Sequence, residues 1–253
     1  DLLDTLMELT EREVFPETED TMLSKLQGNV VKLIRRMRHQ NEMTRQEQER
    51  MKGIISDLSH QLKTPLANLK MYSRFLQKEE LSEKQYREYV DIICLSVERL
   101  NFLSENMIKI SRLETGLIHL KCQKNKISET VLKAVKDIYP KARHMGCEII
   151  YREDREKELW AQFDADWTAE AIFNMLDNAV KYSENAQNKR IILSVRKLGL
   201  FAEISVEDQN GFIPEEEKNR IFQRFYRGEN SEGKEGIGLG LYLTREIASY
   251  EHI

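Results

Sequence analysis

Apolar residues in the first third of the chain recur every three or four positions, as they do along one face of a helix. Residues 1–14 predict a short helix that ends before Pro16, and a second helix is predicted from about Thr18 to about Gln77. A stripe along its C-terminal half consists of Met51, Ile55, Leu58, Leu62, Leu66, Leu69, Tyr72 and Leu76. This spacing is close to the 3.5-residue repeat of helices that pack side by side, which predicts a coiled coil or a helical bundle.

A second striped helix follows after a short turn. Ser82, with Gln85 three positions later, forms a capping box, which is typical of the start of a helix. The apolar positions of this helix are Tyr86, Val90, Ile93, Val97, Leu100, Leu103, Met107, Ile110 and Leu113. An antiparallel hairpin of two such helices cannot bury both stripes by itself, whereas two hairpins can do so as a four-helix bundle. We therefore predict a homodimer built around a dimeric four-helix bundle.

The pattern changes from about Ile127 onward, where helices and strands alternate. Helices are predicted from Ser128 to about Arg143, from about Thr168 to Tyr182, and from near Gly240 onward. The predicted strands are Cys147–Tyr151, Ala161–Phe163, Arg190–Lys197 and Phe201–Glu207. This mixture predicts a two-layer α/β sandwich. The fold class is thus α + α/β, with the antiparallel helical hairpin first and the sandwich second.

Length, charge and cysteine content narrow the classes of function. For 253 residues, two domains are a better expectation than one. A net charge of -4 argues against nucleic acid as the main partner, because no large positive field is available. Cys94, Cys122 and Cys147 are too few and too far apart for a disulfide framework or a metal cluster, which favours a reducing cytosol. The chain begins at Asp1 rather than Met, so we expect it to be the cytoplasmic portion of a longer protein. It has no apolar run of the ~20 residues that span a bilayer, which says nothing about that longer protein.

His60 lies on the face of its helix opposite the apolar stripe, where Lys63 and Thr64 lie beside it. An exposed histidine is most often simply solvated, so this position alone indicates no function. Residues 59–66, SHQLKTPL, closely resemble the H-box of sensor histidine kinases. The resemblance implies that the imidazole of His60 attacks the γ-phosphate of ATP, since neutral imidazole is a nucleophile near neutral pH. It also implies that Thr64 takes part in dephosphorylating the response regulator, and Pro65 is expected to kink the helix.

Four later segments resemble the nucleotide-binding motifs of the same family, in the family order. Residues 174–182, NMLDNAVKY, resemble the N-box, and residues 208–213, DQNGFI, resemble the G1 box. Residues 222–227, FQRFYR, resemble the F-box, and residues 236–241, GIGLGL, resemble the G2 box. The nucleotide-binding residues that the resemblance implies are Asn174, Asn178, Lys181, Tyr182, Asp208, Gly211, Arg227, Gly236, Gly238 and Gly240.

The residue types in these segments suit a site for ATP with Mg²⁺. Asn174, Asn178, Lys181 and Tyr182 are spaced at i, i+4, i+7 and i+8, so they share one helix face. Such a face is also compatible with a merely solvated helix. Mg²⁺ prefers oxygen ligands, and the resemblance assigns the metal contact to Asn178. Glycines let backbone N–H groups approach phosphates, and a following helix N-terminus attracts negative charge.

Two positions depart from the family pattern. The phosphoacceptor histidine is usually followed by Glu or Asp, which can accept the imidazole proton, whereas Gln61 cannot act as a base but can orient the ring. In the G1 box, Asn210 and Phe212 occupy the positions of the two usual glycines. Gly211 can shift this turn by one residue, while Phe212 can crowd the adenine pocket.

Three classes of function are compatible with these observations. The favoured class is a kinase that phosphorylates itself on His60 from Mg-ATP and transfers the phosphoryl group to an aspartate in the receiver domain of a response regulator. The alternative is a degenerate member that is biased toward phosphatase activity or senses nucleotide. A chaperone or serine-specific kinase of the same ATPase superfamily is disfavoured by the H-box hairpin.

The resemblance also predicts a domain organisation. Residues 1–50 are expected to be a membrane-proximal helical linker, residues 51–120 the dimerisation and phosphotransfer domain, and residues 121–253 the catalytic ATP-binding domain. The family domain continues into another strand pair, so we expect those strands to lie beyond Ile253. The parent protein is expected to be anchored in a membrane.

Overall fold

The computed structural model of the chain describes residues 22–78, 81–114, 120–153, 158–183, 188–228, 231, 234 and 236–251. The helix predicted over residues 1–14 lies outside the described residues. The chain divides into two compact units, with the division between Ala67 and Asn68. Among the helices of the described segments, none is both long enough and apolar enough to cross a membrane.

Two long helices come first. Helix α1 spans Met22–Phe75 and helix α2 spans Glu83–Glu114, close to the predicted bounds. The predicted capping box is present at the start of α2. The backbone N–H of Ser82 donates to Oε1 of Gln85 at 3.1 Å, and the backbone N–H of Gln85 donates to Oγ of Ser82 at 3.3 Å. These reciprocal bonds satisfy N–H groups that have no partner inside a helix and so fix where α2 begins.

The end of α1 and the beginning of α2 pack through aromatic rings. The ring centroid of Tyr89 lies 5.4 Å from that of Tyr72 and 5.6 Å from that of Phe75. Rings at these separations attract each other beyond the effect of buried area alone. The helical hairpin is thus confirmed. Apolar side chains also remain exposed along both helices, among them Leu66 at 52% and Leu95 at 60%.

The second half of the chain contains two small sheets. Strand β1, Gln123–Lys126, pairs antiparallel with β3, Trp160–Phe163. Strands β2 (Glu148–Glu153), β4 (Arg190–Leu198) and β5 (Phe201–Glu207) form a sheet in the order β2-β4-β5. The β2–β4 pair is parallel and the β4–β5 pair is antiparallel. Strand β1 escapes prediction because all four of its residues are polar, so its pairing with β3 has no apolar pattern.

Three helices complete this half: α3 spans Ile127–His144, α4 spans Ala165–Tyr182 and α5 spans Gly240–Glu251. A continuous apolar core joins α3 and α4 to the sheet. Its members from these elements with no exposed surface are Val131, Ala134, Ile138, Leu176, Val180, Ile191, Leu193 and Val195. The predicted α/β architecture after a helical hairpin is therefore confirmed.

Helix α4 begins three residues before the predicted start because Asp164 caps it. Oδ1 of Asp164 accepts hydrogen bonds from the backbone N–H groups of Asp166 at 3.0 Å and Trp167 at 3.2 Å. Its Oδ2 accepts from the backbone N–H of Lys121 at 2.8 Å. An aspartate in this position satisfies the free N–H groups of the first turn.

A second buried carboxylate joins this cap from the end of α5. Glu251 accepts from the backbone N–H of Asp164 at 2.9 Å and from the Thr168 hydroxyl at 2.8 Å. Burial raises the pKa of the Glu251 carboxyl, and the two hydrogen bonds work against that shift. The last turn of α5 is thereby fixed to the first turn of α4.

We expect Asp164→Ala to lower the free energy of unfolding by about 1–2 kcal/mol, because three backbone N–H groups lose their acceptor. Asp164→Asn keeps an acceptor and should retain most of the stability. Urea titration followed by circular dichroism measures the difference. The control is Asp166→Ala, which removes only the exposed ion pair with Lys133 and should cost less than about 1 kcal/mol. Equal losses in the two alanine variants would contradict the capping role.

Candidate nucleotide-binding site

A cavity of about 400 Å³ lies beside helices α4 and α5. It falls within the size range of small-molecule sites. All ten residues that the sequence predicts for nucleotide binding line it, although they come from segments spread over residues 174–240. Their individual roles stay predictions.

Helix α4 forms one wall of the cavity through Asn174, Asn178, Lys181 and Tyr182. The Nδ2 atom of Asn174 is buried and has no hydrogen-bond partner within the described part of the chain. An unpaired buried amide is costly, so this group calls for a polar ligand in the cavity.

Asp177 is a polar residue of this wall that the motif comparison did not single out. Its carboxylate forms ion pairs with Lys181 and with Lys141 of α3, the latter at 2.6 Å. The side chains of Asp177 and Lys181 are each only 14% exposed, so solvent screens the pair weakly. Asp177 thus fixes the ammonium group of Lys181 at the cavity. The i, i+4 spacing of this pair is the signal that sequence reasoning could have used.

The G1 segment forms its turn around a different residue from the family pattern. Gly211 takes the positive φ, at 94°. Asn210 is anchored by its backbone N–H to Oδ1 of Asp208 at 2.9 Å, and its Nδ2 donates to the Ala179 carbonyl at 3.1 Å. The Phe212 side chain is fully exposed at the rim of the cavity. The shift of the turn to Gly211 therefore leaves Phe212 outside the packed part of the site.

Gly238 of the G2 segment packs directly against the F-box segment. A Cβ atom there would lie 2.4 Å from the Tyr226 carbonyl oxygen and 2.8 Å from the Phe225 carbonyl carbon, and its φ is +75°. The backbone N–H of Phe225 donates to the Gly238 carbonyl at 2.8 Å, and Phe225 itself has a φ of 58°. Gly238 is therefore needed for the contact between the G2 and F-box segments, whether or not its backbone also approaches a phosphate.

Two cations beside the cavity bond to backbone carbonyls. Arg227 donates through Nη2 to the carbonyls of Ser231 at 2.5 Å and Lys234 at 2.8 Å. The ammonium group of Lys234 donates to the carbonyls of Lys181 at 3.2 Å and Tyr182 at 3.4 Å, and it lies 4.9 Å from the Tyr182 ring centroid. A cation at the C-terminus of α4 complements the negative end of the helix dipole. Lys234 was not predicted as a site residue.

The predicted phosphoacceptor segment lies in α1. His60, Lys63 and Thr64 are exposed, as expected from the helical wheel, and Gln61 is half-buried. The Ser59 hydroxyl donates to the Ile55 carbonyl one turn earlier at 2.7 Å. Helix α1 remains α-helical on both sides of Pro65. His60 and Thr64 are thus exposed on the same helix while Gln61 between them is half-buried, and the catalytic roles of all three stay predictions.

The cavity residues fit a nucleotide with Mg²⁺. Within the described segments, no group of three or more His, Cys, Asp or Glu side chains could hold a metal ion on its own. Mg²⁺ often takes most of its ligands from phosphates and water, so a few amide oxygens such as that of Asn178 suffice. The buried Oδ1 of Asn210, like Nδ2 of Asn174, has no partner among the described residues, which also favours a polar ligand.

Two family models match the chain. Residues 50–116 match the His Kinase A (phospho-acceptor) domain. Residues 163–252 match the histidine kinase-, DNA gyrase B- and HSP90-like ATPase family. The first range contains His60 and the second contains all ten cavity residues named above.

Curated relatives are similar over most of the chain. A histidine protein kinase SaeS from Staphylococcus epidermidis is 29% identical over 236 residues, which are 89% of this chain and 64% of that protein. A probable sensor protein PcoS from Escherichia coli is 30% identical over 202 residues, 78% of this chain and 42% of that protein. The chain therefore spans about two thirds or less of the length of these relatives.

Solved structures share the fold. The histidine kinase ThkA in complex with the response regulator protein TrrA superposes with a TM-score of 0.66 at 20% identity, covering 84% of this chain and 60% of that chain. Full-length ShkA in complex with AMPPNP gives a TM-score of 0.52 at 22% identity, covering 76% of this chain and 39% of that chain.

We expect Gly238→Ala to weaken ADP binding at least about tenfold, because the new methyl group clashes with the Phe225–Tyr226 backbone and strains the positive φ. Isothermal titration with ADP measures the affinity, and thermal unfolding reports the stability. Gly240→Ala is the milder comparison, since its Cβ meets only the Asn174 side chain at 3.2 Å. An affinity in Gly238→Ala equal to that of the unchanged chain would refute this account of the G2 segment.

Proposed function

The chain belongs to the sensor histidine kinases, and from this premise we propose that it phosphorylates His60 with ATP and passes the phosphoryl group to an aspartate of a response regulator. One observation carries the proposal. The residues of four nucleotide-binding motifs line a single cavity in a chain that also carries the H-box. The SaeS and PcoS relatives, one named a histidine protein kinase and the other a probable sensor protein, support it.

The proposed reaction is a displacement at the γ-phosphorus of ATP. A neutral imidazole nitrogen of His60 forms a P–N bond while the bond from phosphorus to the β–γ bridging oxygen breaks, and ADP leaves. The imidazole N–H proton passes to solvent or to the nucleotide, because Gln61 has no basic atom to accept it. The amide of Gln61 then has only the role of orienting the ring.

The cavity residues position the donor and balance its charge. Lys181, fixed by Asp177, addresses the phosphates, and Asp208 accepts a hydrogen bond from the adenine amino group. Asn178 supplies an oxygen ligand to Mg²⁺, which when bound neutralises charge on the phosphates. Arg227 exchanges its present carbonyl partners for phosphate oxygens, which are stronger acceptors.

Partners and location form part of the same proposal. The exposed apolar side chains on α1 and α2, together with the match to the phospho-acceptor domain, support a homodimer. A receiver domain of a response regulator is the proposed phosphoryl acceptor. Dephosphorylation of that response regulator, with the participation of Thr64, is the proposed opposing activity. We assign residues 1–50 to a helical linker, 51–120 to the phosphotransfer domain and 121–253 to the catalytic domain. A cytoplasmic position next to a membrane anchor in the parent protein rests on the family resemblance.

A phosphatase-biased or nucleotide-sensing member remains the second candidate, and Gln61 is the observation that favours it. The altered G1 box supports this candidate less than Gln61 does. Gly211 supplies the positive φ of the turn, and the Phe212 ring is exposed rather than packed inside the site.

We expect His60→Ala to abolish phosphate incorporation while leaving the dimer and nucleotide binding intact. His60 is exposed, so its truncation should leave no cavity in the core. The measurement is labelling with γ-³²P-ATP followed by a test for acid-labile phosphate. His39→Ala, which changes another exposed histidine of α1, is the matched control and should label like the unchanged chain. Residual acid-labile phosphate in His60→Ala would rule out the assignment.

If Gln61 limits proton removal, Gln61→Glu should raise the rate of autophosphorylation by up to roughly 10²-fold, the scale of general-base catalysis, without changing ATP affinity. Phe212→Gly is the parallel change in the G1 box. Because the Phe212 ring is exposed, we expect it to alter ATP affinity by no more than about twofold. Initial rates and nucleotide titrations of both variants separate the two effects. An unchanged rate in Gln61→Glu combined with tighter ATP binding in Phe212→Gly would point to Phe212 instead.

A further inference from the structure

Among the described residues, one aromatic side chain lines the cavity from outside every nucleotide-binding motif. Phe102 of helix α2 lines the cavity together with residues of α4 and the G2 segment. Its side chain is partly exposed, at 39%, although its backbone lies in a well-packed stretch of helix. The neighbouring Leu103 is 1% exposed, and the buried Asn106 donates through Nδ2 to the Phe102 carbonyl at 2.8 Å. The backbone that carries Phe102 is therefore well anchored.

An ion pair holds the same face of α2 against the catalytic half. The ammonium group of Lys109 lies 2.6 Å from the Glu170 carboxylate of α4, and the two side chains are 37% and 25% exposed. Lys109 follows Phe102 by seven residues, which places both on one side of α2 about 10 Å apart along its axis. Glu170 lies one helical turn before Asn174 on α4. The ion pair therefore links α2 to α4 at a point seven residues beyond Phe102, which itself lines the cavity.

We propose that Phe102 is a nucleotide-contacting residue contributed by α2, and that the Lys109–Glu170 ion pair positions it. This inference rests on the proposed function, because it assigns the cavity to a nucleotide. The ring is apolar and cannot solvate phosphates, so it contacts the base or the ribose. The cavity has a volume of about 400 Å³ with Phe102 in its lining, so the ring borders the site without filling it.

A consequence of this arrangement is coupling between nucleotide binding and the position of α2. If the docked helix supplies part of the binding surface, bound nucleotide must favour docking by the same factor by which docking favours nucleotide. Movement of α2 would then change the nucleotide affinity of the catalytic half without any additional ligand.

The test is isothermal titration of the full chain with Mg-ADP and with a non-hydrolysable Mg-ATP analogue. We expect Phe102→Ala to weaken both nucleotides by the same factor, between about twofold and tenfold, because the ring does not contact the γ-phosphate. Phe102→Tyr keeps the ring and should bind like the unchanged chain. Glu105→Ala is the control, since Glu105 lies three residues later on the same helix, is exposed and does not line the cavity.

Charge reversal tests the positioning role. Lys109→Glu places two carboxylates together and should weaken both nucleotides by about twofold or more, and the double change Lys109→Glu with Glu170→Lys should restore the affinity. Thermal unfolding and light scattering exclude loss of fold or dimer as the cause.

The outcomes separate this inference from the proposed function. No binding of Mg-ADP or the Mg-ATP analogue by the unchanged chain would overturn the proposed function and this inference together. Normal binding by the unchanged chain, with equal or tighter binding by Phe102→Ala, would overturn the role of Phe102 alone. A failure of the double charge reversal to restore affinity would overturn the positioning role of the ion pair.

Discussion

The hydrogen bonds that Glu251 accepts from the Asp164 backbone and the Thr168 hydroxyl join the last turn of α5 to the first turn of α4. The walls of the cavity are the C-terminal half of α4 and the first residues of α5, at the ends of these helices away from that contact. The Thr244 hydroxyl of α5 also donates to the Ala171 carbonyl of α4 at 3.3 Å, so the two helices are joined midway as well. Burial raises the pKa of the Glu251 carboxyl, whereas the hydrogen bonds that it accepts favour its charged form. Glu251 thus joins the two helices that wall the cavity without lining the cavity itself.

The motifs around the cavity also depend on one another before any ligand binds. Gly238 lets the G2 segment touch the F-box backbone, and Asp177 fixes Lys181 while anchoring α4 to α3. Asn210 ties the G1 turn to the last turn of α4 through the Ala179 carbonyl. These contacts pre-organise the site, so a ligand does not have to order each segment separately. They also give structural reasons for residue types that a motif comparison attributes to the nucleotide alone.

Sequence periodicity sufficed for the features that depend on local spacing. The capping box at Ser82, the polar face of α4 and the apolar strand β4 each follow from residues within two or three turns or one strand. What could not be predicted depends on distant partners: Glu251 meets Asp164 across 87 positions, and Phe102 meets the cavity from another helix. No local pattern encodes such a pairing. Strand β1 could not be predicted for the same reason, because its polar residues form a strand only through pairing with β3.

The two cations beside the cavity show which bonds the ligand-free site already makes. Arg227 and Lys234 now donate to neutral carbonyl oxygens, and Lys234 also caps the C-terminus of α4. Phosphate oxygens are charged acceptors and would form stronger hydrogen bonds with Arg227, which lines the cavity, whereas Lys234 does not line it. The carbonyls of Ser231 and Lys234 that Arg227 would release must then find water or another donor. Under the proposed function, nucleotide affinity reflects the difference between these two sets of bonds, and a change at Arg227 acts on the ligand-free arrangement as well as on the bound one.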